Sequence, residues 1–590
     1  MQAYHERKTV HNAAVQQLKQ QFNRLAFARL ISIVSALLFG YLTIRSGNTI
    51  QLVIAIASFV LFVVFMRMHF VVKRKLVLQQ ALVKINETEL AFLEKQELPF
   101  DNGNRFLEGN HPYTYDLDIF GEHSLFQHIN RTQTVMGNRG LGESLLEKSS
   151  AETIRKRQEA IAELTPLLEW RQLFTAKAIL ANDNEQISDT LRSWNSDQPK
   201  VPLITTILSY AFPALGALFT ILGFLKGSSP LFLNLAVTIF IFNLIVLASQ
   251  LKKMNAEIAF ADKINQTLLR YSELLQALEE REWKSELLKD IQQKLNASQI
   301  SASKQIHALS RIFASLESLQ NGMGAILFNG TILFHLHTYR KLLRWKSAHT
   351  TELDNWLQQI GEAEVLLSFA NLHFNNPDFN FPELNDAAIL RFEELGHPLI
   401  SATKRVSNSV DFSEKQFIVL TGSNMSGKST FLRTLGVNLV LANAGAPICV
   451  KSASIQPMDI LVSMRLSDSL SDSESYFFAE VKRLKEIMTE LENRRCFILL
   501  DEILRGTNSD DKRTGTIEVL KKVISKNAIG AIATHDLEVC NTTDEYPQLL
   551  VNKCFEVEII NNELKFDYRL RDGICQNKSA TFLMKKMGVI

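Results

Sequence analysis

Cysteine is scarce and confined to one end. The chain has five in 590 residues, Cys449, Cys496, Cys540, Cys554 and Cys575, an odd set without metal-type spacing. That excludes a disulfide-framed fold and a cysteine-built zinc site, and the five read as reduced core thiols. Neither sign of charge is in excess: 64 Lys and Arg against 62 Asp and Glu leave a formal net charge of +2. No global electrostatic case for a nucleic-acid partner follows from that balance. No internal repeat and no low-complexity segment stands out, so neither a solenoid nor a biased tail organises the chain. Hydrophobic content of 46% is unremarkable overall, and the length is too great for one domain.

What is present is more specific. Residues 421–430 read Thr-Gly-Ser-Asn-Met-Ser-Gly-Lys-Ser-Thr and satisfy G-x-x-x-x-G-K-[ST] from Gly422 to Ser429. The apolar run Phe417–Leu420 precedes this loop and a helix-compatible stretch follows from Phe431. Strand, loop and helix in that order make a phosphate cradle. Glycines let backbone N–H groups close on phosphate, a lysine adds positive charge, and a hydroxyl can ligate Mg²⁺. The candidate nucleotide-binding residues are therefore Gly422, Ser423, Asn424, Met425, Ser426, Gly427, Lys428, Ser429 and Thr430. About seventy residues on, Phe497-Ile-Leu-Leu-Asp501-Glu502 gives an apolar strand ending in two carboxylates. Asp501 stands where a Walker B aspartate holds Mg²⁺, and Glu502 where a water is oriented or deprotonated. Ile532-Ala-Thr-His535-Asp536 is another short apolar strand, ending in a histidine suited to sensing a γ-phosphate, because parallel strands of one sheet end on one face. Lys428, Glu502 and His535 are the candidate catalytic residues, Ser429 and Asp501 the candidate metal ligands, and ATP and Mg²⁺ the implied cofactors.

These residues resemble the MutS family of DNA mismatch-repair ATPases. Asn424 and Met425 inside the loop are that family's habit, Asp501-Glu-Ile-Leu-Arg505-Gly-Thr-Asn508-Ser-Asp510 looks like its Walker B and D-loop, and Ala533-Thr-His535 like its switch histidine. Ser469–Phe477 falls where the family has its signature loop, with Ser475 matching the serine that reaches the partner's γ-phosphate and Ser473 standing where a glycine is usual. Leu117–Arg139, Ile154–Ile161 and Glu364–Ala370 resemble the family's helical core. Gly396–Ile400 resembles the approach to the ATPase domain, and Phe566–Leu570 with Asp572-Gly573 its last strand and turn. The resemblance implies ATP hydrolysis, a homodimer through the ATPase domains, and DNA binding in a repair or recombination role. It does not extend to an N-terminal mismatch-reading domain or to a Gly-x-Phe-Tyr-Glu motif. Phe92-Leu-Glu94 has only the letters and reads as a solvated turn of helix. No small nuclease-like domain is expected, and the family's C-terminal dimerisation helices are expected to be shortened.

Long hydrophobic runs occupy the remaining space. Leu30–Thr43 and Gln51–Val72 are separated by a short loop with Arg45 and Gly47; 201–225 and Leu231–Ala248 form a second pair around Lys226–Pro230. Each extends to roughly 20 residues, the length that crosses a bilayer. Buried core helices are the rival reading, but Pro213 and Gly216 inside the third run suit a membrane helix better. A cleavable signal peptide fits poorly, since a polar segment precedes the first run and a second run follows at once. Arg24, Arg29, Arg67, Lys73, Arg74 and Lys75 flank the first pair, and Arg192, Lys200, Lys252 and Lys253 the second. The turns hold only Arg45 and Lys226. Positive-inside logic then puts both termini and the ATPase domain on the cytoplasmic side of the cell membrane.

The expected architecture is an α/β P-loop (ABC-type, MutS-like) ATPase domain following an α-helical core, with four predicted transmembrane helices in two hairpins. In order, it comprises a cytoplasmic segment at 1–28, a transmembrane hairpin at 29–73, a helical region at 74–200, a second hairpin at 201–250, a helical lever or core at 251–399 and the ATPase domain at 400–590. Asn255–Leu295 reads as one long amphipathic helix with Glu279–Glu282 as a solvated face. The basic run Arg340–Lys346 reads as a solvated or membrane-surface helix face ahead of a nucleic-acid patch. Three functions compete: a membrane-anchored DNA ATPase, a membrane-linked mechanical ATPase acting on an envelope, lipid or protein partner, and a nucleotide-gated tether. The water-activating Glu502 argues against the tether.

Overall fold

A computed structural model describes residues 1–196, 202–225, 229–320, 322–387, 389–465, 476–560 and 563–575, together with 584 and 587. Lys200, Lys226, Ser473 and Ser475 lie outside the described residues.

The ends of the chain divide by period. Strands gather from residue 383 onward: β1 Glu383–Leu384, β2 Arg391–Leu395, β3 Asn408–Asp411, β4 Phe417–Gly422, β5 Ser452–Ile455, β6 Asp459–Ser463, β7 Cys496–Asp501, β8 Ile529–Ala533, β9 Leu550–Ile560 and β10 Glu563–Asp572. They form two sheets. The larger has the order β10-β9-β4-β8-β7-β6, parallel except for the β9–β10 pair. Strands β4, β7 and β8 are buried along their whole length, as continuous apolar runs in a covered parallel sheet should be. The smaller sheet, β1-β5-β2-β3, begins ahead of residue 400. All five cysteines are buried and free.

Before residue 383 the chain is helical. Gln2–Ser46 and Thr49–Lys95 are two continuous helices of 45 and 47 residues, closed by Gly47 in the left-handed region (φ 67°) and by the Asn48 side chain accepting from Ile50 N. At 1.5 Å per residue each is about 70 Å long, more than twice a hydrocarbon core. Compositional breaks near 28 and 73 therefore fall inside unbroken helices. The tips are apolar and exposed, while the polar stems dock on the body. Tyr4 donates to Asn375 Oδ1 (2.8 Å), Asn86 and Gln172 exchange amide bonds, and Leu82 packs with Ala176. Helices Leu203–Leu225 and Pro230–Ala248 make the second hairpin, so among the described residues four helices are long and apolar enough to cross a membrane.

The helix Phe334–Asn375 threads the body, its 42 residues reaching about 63 Å. Near its start His337 meets the Ser209 carbonyl of the second hairpin (3.1 Å); near its end Asn371 donates to Glu89 in the stem of the first (3.1 Å). Two expectations change. The amphipathic stretch 255–295 is two helices, Leu251–Glu279 and Glu286–Leu295, broken where Trp283 turns inward and donates to the Leu278 carbonyl. Phe92 is not a solvated letter of a helix turn: its ring meets Phe100 and His128 edge-on, with the Arg131 guanidinium 5.0 Å from its centroid.

Glu89 and Arg131, with side chains 5% and 10% exposed, form a 2.5 Å ion pair to which Asn371 and Asn375 also donate. Removing one partner leaves a buried charge alone, so Glu89→Ala should lower stability by about 3–5 kcal/mol. Replacing both with Met should recover most of that loss, as read by thermal unfolding of the full chain.

Candidate nucleotide site

Parallel register brings three strand ends level. Leu420 pairs with Ala533 and Asp501 pairs with Ala533, so the residues that follow β4, β7 and β8 share one edge. The loop after β4 turns through Gly422 and Gly427 (φ 104°) into helix Lys428–Ala444. A Cβ at Gly427 would sit 3.1 Å from the Tyr568 ring, and one at Gly422 would sit 2.6 Å from Ser426 Oγ, so the loop has no space for side chains there.

Lys428 is buried, and its ammonium donates to the carbonyls of Gly422 (2.9 Å) and Ser423 (3.2 Å) and lies 3.2 Å from His535 Nε2. Burial lowers its pKa; Glu502 and Asp501 oppose that. Asp501 is pushed the other way by burial, with the Ser429 hydroxyl bond as the main counterweight. Its Oδ1 is buried without a partner, as are Ser423 Oγ and Ser426 Oγ. A buried carboxylate oxygen left unmatched beside a hydroxyl suits a hard cation, so Ser429 and Asp501 fit Mg²⁺. Glu502 holds a left-handed backbone (φ 48°), pinned by its N–H to the Ala533 carbonyl (2.9 Å). Its carboxylate lies 2.8 Å from His535 Nε2, and that bond brings its pKa down to about 2.

A cavity of about 470 Å³ opens beside this edge, lined by Asn424 to Thr430 and Glu502 and, on its far wall, by Leu395, His397, Ile400, Val406, Phe555 and Tyr568. Burial, then Arg433, hold His397 down at about 4, so it is neutral near pH 7. Tyr568 has φ 57° at an irregularity in β10, where Asn408 donates to its carbonyl (3.0 Å) and accepts from Leu570 N (2.7 Å). The size and mixed lining suit a nucleotide, with phosphates at the loop and a base against the aromatic wall.

The family model described as MutS domain V matches residues 418–588. The C-terminal part of this chain belongs to the MutS family. Similar proteins include the DNA mismatch repair protein MSH4 of Arabidopsis thaliana, 32% identical over 35% of this chain and 27% of that protein. MutS protein homolog 4 of Homo sapiens is 30% identical over 37% and 24%, and the DNA mismatch repair protein MutS of Thermotoga neapolitana 32% identical over 31% and 24%. The chain thus spans about a quarter of the length of these relatives.

Within this MutS domain, Lys428, Ser429, Asp501, Glu502 and His535 lie together along the strand edge. Asn508 stands apart from the cavity lining: it caps helix Ser509–Ser525, accepting from Asp511 N at 2.8 Å. The sequence reading missed three residues. Glu480, buried in helix Tyr476–Asn493, accepts from Leu504 N and Arg505 N and so holds the loop after Glu502. Asp118 pairs with both Arg433 of the phosphate-loop helix (3.2 Å) and Arg465 (2.7 Å). Tyr568 supplies the aromatic wall. Only Glu480 left a local trace, an acid on the buried face of an amphipathic helix.

Titration with a fluorescent ATP analogue separates the two halves of the cavity. Lys428→Ala should weaken binding about 10- to 100-fold through lost charged hydrogen bonds, and Tyr568→Ala about 10-fold through lost stacking.

Proposed function

We propose that this chain is a membrane-anchored, MutS-type ATPase that binds DNA under nucleotide control in a repair or recombination-type role. The observation that carries the ATPase reading is the level edge where Lys428, Asp501, Glu502 and His535 meet beside a nucleotide-sized cavity. Lys428 would exchange its loop carbonyls for phosphate oxygens, and Ser429 with Asp501 would hold Mg²⁺, which when bound would offset charge on the phosphates. Glu502, held at about 2, is a weak base near pH 7 and serves best by accepting a hydrogen bond from the attacking water. Nε2 of His535 lies within reach of both that carboxylate (2.8 Å) and the Lys428 ammonium (3.2 Å) and bonds one of them at a time, so it can report a γ-phosphate to either.

The four apolar helices support anchoring at 29–73 and 201–250 in the cell membrane, with the termini and ATPase domain cytoplasmic. The division into hairpins, helical body and a 400–590 ATPase unit belongs to this reading. So does the homodimer in which Ser475 reaches the partner's γ-phosphate and Asn508 lies in the D-loop at the interface; both come from the family resemblance. DNA as ligand rests on the relatives, two of which are named for DNA mismatch repair. A second reading, a mechanical ATPase working on an envelope, lipid or protein partner without DNA, is favoured by the helix Phe334–Asn375, which joins the second hairpin to the body.

Glu502→Gln should lower ATP turnover by about 10²–10⁴-fold while keeping ATP binding. In His535→Ala the carboxyl of Glu502 rises toward its usual range. It is then neutralised sooner as pH falls, so the acid limb of hydrolysis should shift to higher pH than in the unaltered chain. DNA binding by the full chain, with homoduplex, mismatched and branched DNA across a salt series, decides between the readings. Salt-sensitive, nucleotide-dependent binding supports the DNA role. Absence of binding by a preparation that hydrolyses ATP overturns it and leaves the mechanical one.

A further inference from the structure

Between Glu317 and Arg340 the sequence has no Lys, Arg, Asp or Glu. Within that stretch Gly322–Ile332 is an apolar helix of 11 residues, about 17 Å long and too short to cross a bilayer. One face is packed: Ala325, Asn329 and Gly330 are buried, and Gly330 comes so near the Phe240 ring that a Cβ would overlap it. Asn243 of helix Pro230–Ala248 donates to the Gly330 carbonyl at 2.8 Å. The other face carries Met323 (90% exposed), Ile326, Leu327, Phe328 and Ile332, with Phe334 at its end. A water-facing helix would carry polar residues there.

Its polar groups are already matched inside the protein. Asn329 Nδ2 donates to the Ala325 carbonyl (2.7 Å), and its Oδ1 accepts from His335 N (3.0 Å), fixing the sharp turn at Leu333 (φ 49°). The Thr331 hydroxyl donates back to the Leu327 carbonyl (2.7 Å). That pattern meets the demand of a hydrocarbon environment, where no water satisfies a stray donor. Phe240 and Asn243 lie about 12 and 8 Å from the polar end of helix Pro230–Ala248, less than half a hydrocarbon thickness. Just beyond, Arg340 lies over the Tyr210 ring (5.3 Å), and Lys341 and Arg344 are exposed, as befits a surface of anionic headgroups.

We propose that residues 322–334 are a fifth membrane element, a non-crossing helix seated among lipid acyl chains of the cytoplasmic leaflet beside the second hairpin. This rests on the anchoring proposed above. The helix broadens that hairpin into a three-helix unit and places the start of Phe334–Asn375 at the membrane surface.

The test uses the full chain in phosphatidylcholine/phosphatidylglycerol nanodiscs, with an environment-sensitive fluorophore on Leu327→Cys and, separately, on Val237→Cys. The same labelling of the chain with only its five buried cysteines gives the background to subtract. The expected result is a blue-shifted Leu327 probe quenched about twofold or more by acyl-chain nitroxide lipid and scarcely by aqueous iodide. Quenching by lipid at Val237 with iodide quenching at Leu327 overturns this inference alone. Iodide quenching at both sites overturns the anchoring and the inference with it. Protection of Leu327 from both quenchers, with energy transfer between differently labelled copies, also overturns it in favour of a contact between copies.

Discussion

The Arg157 guanidinium is the joint on which the two halves of the molecule bear. It donates to the Ala444 carbonyl, at the C-terminal end of the phosphate-loop helix, and to Ser149 Oγ, and it pairs with Glu362 on the long helix. A helix end leaves carbonyls unmatched and partly negative, so a fixed cation there is doubly favourable. The other end of the same helix is the phosphate loop itself. A shift of that helix is therefore felt by Glu362, ten residues or fewer from Glu364, Ser368 and Asn371, which hold the Arg131–Thr134 turn and the stem of the first hairpin.

A second connection runs in parallel. Asp118 and Asp116 gather the phosphate-loop helix through Arg433, and the end of β6 through Met464 N, Arg465 N and the Arg465 side chain. Arg433 follows the phosphate loop by three residues, and Arg465 immediately precedes 466–475. One short acidic segment of the helical region thus touches both flanks of the nucleotide edge.

The parts of this architecture visible in sequence are those whose chemistry is local. Gly422–Thr430, Asp501-Glu502 and His535 sit next to one another in short runs because a strand end and its following turn do one task. Tyr568, Glu480 and Asp118 serve the same edge from far along the chain, and nothing near them in sequence marks the partner. The hairpins show a different limit. Composition changes abruptly near residues 28 and 73, yet helical hydrogen bonding does not depend on whether side chains are apolar, so the helices continue through. Helix Gly322–Ile332 escaped for the opposite reason: its apolar run is shorter than a span, and its position against Pro230–Ala248 comes only from tertiary packing.

The docking of the first hairpin also sets an order of assembly. Tyr4 bonds with Asn371 and Asn375, 367 and 371 positions later in the chain. At synthesis rates of roughly 5–20 residues per second the amino-terminal helices wait on the order of 20–70 s for those partners to emerge. Until then Glu89 lacks the two amide donors of the finished protein, while Gln172, the partner of Asn86, and Arg131, the charge partner of Glu89, emerge earlier. The stem's buried face mixes Leu76, Leu82 and Leu90 with Asn86 and Glu89, so its amide and carboxylate dilute the apolar surface left open until helix Phe334–Asn375 arrives.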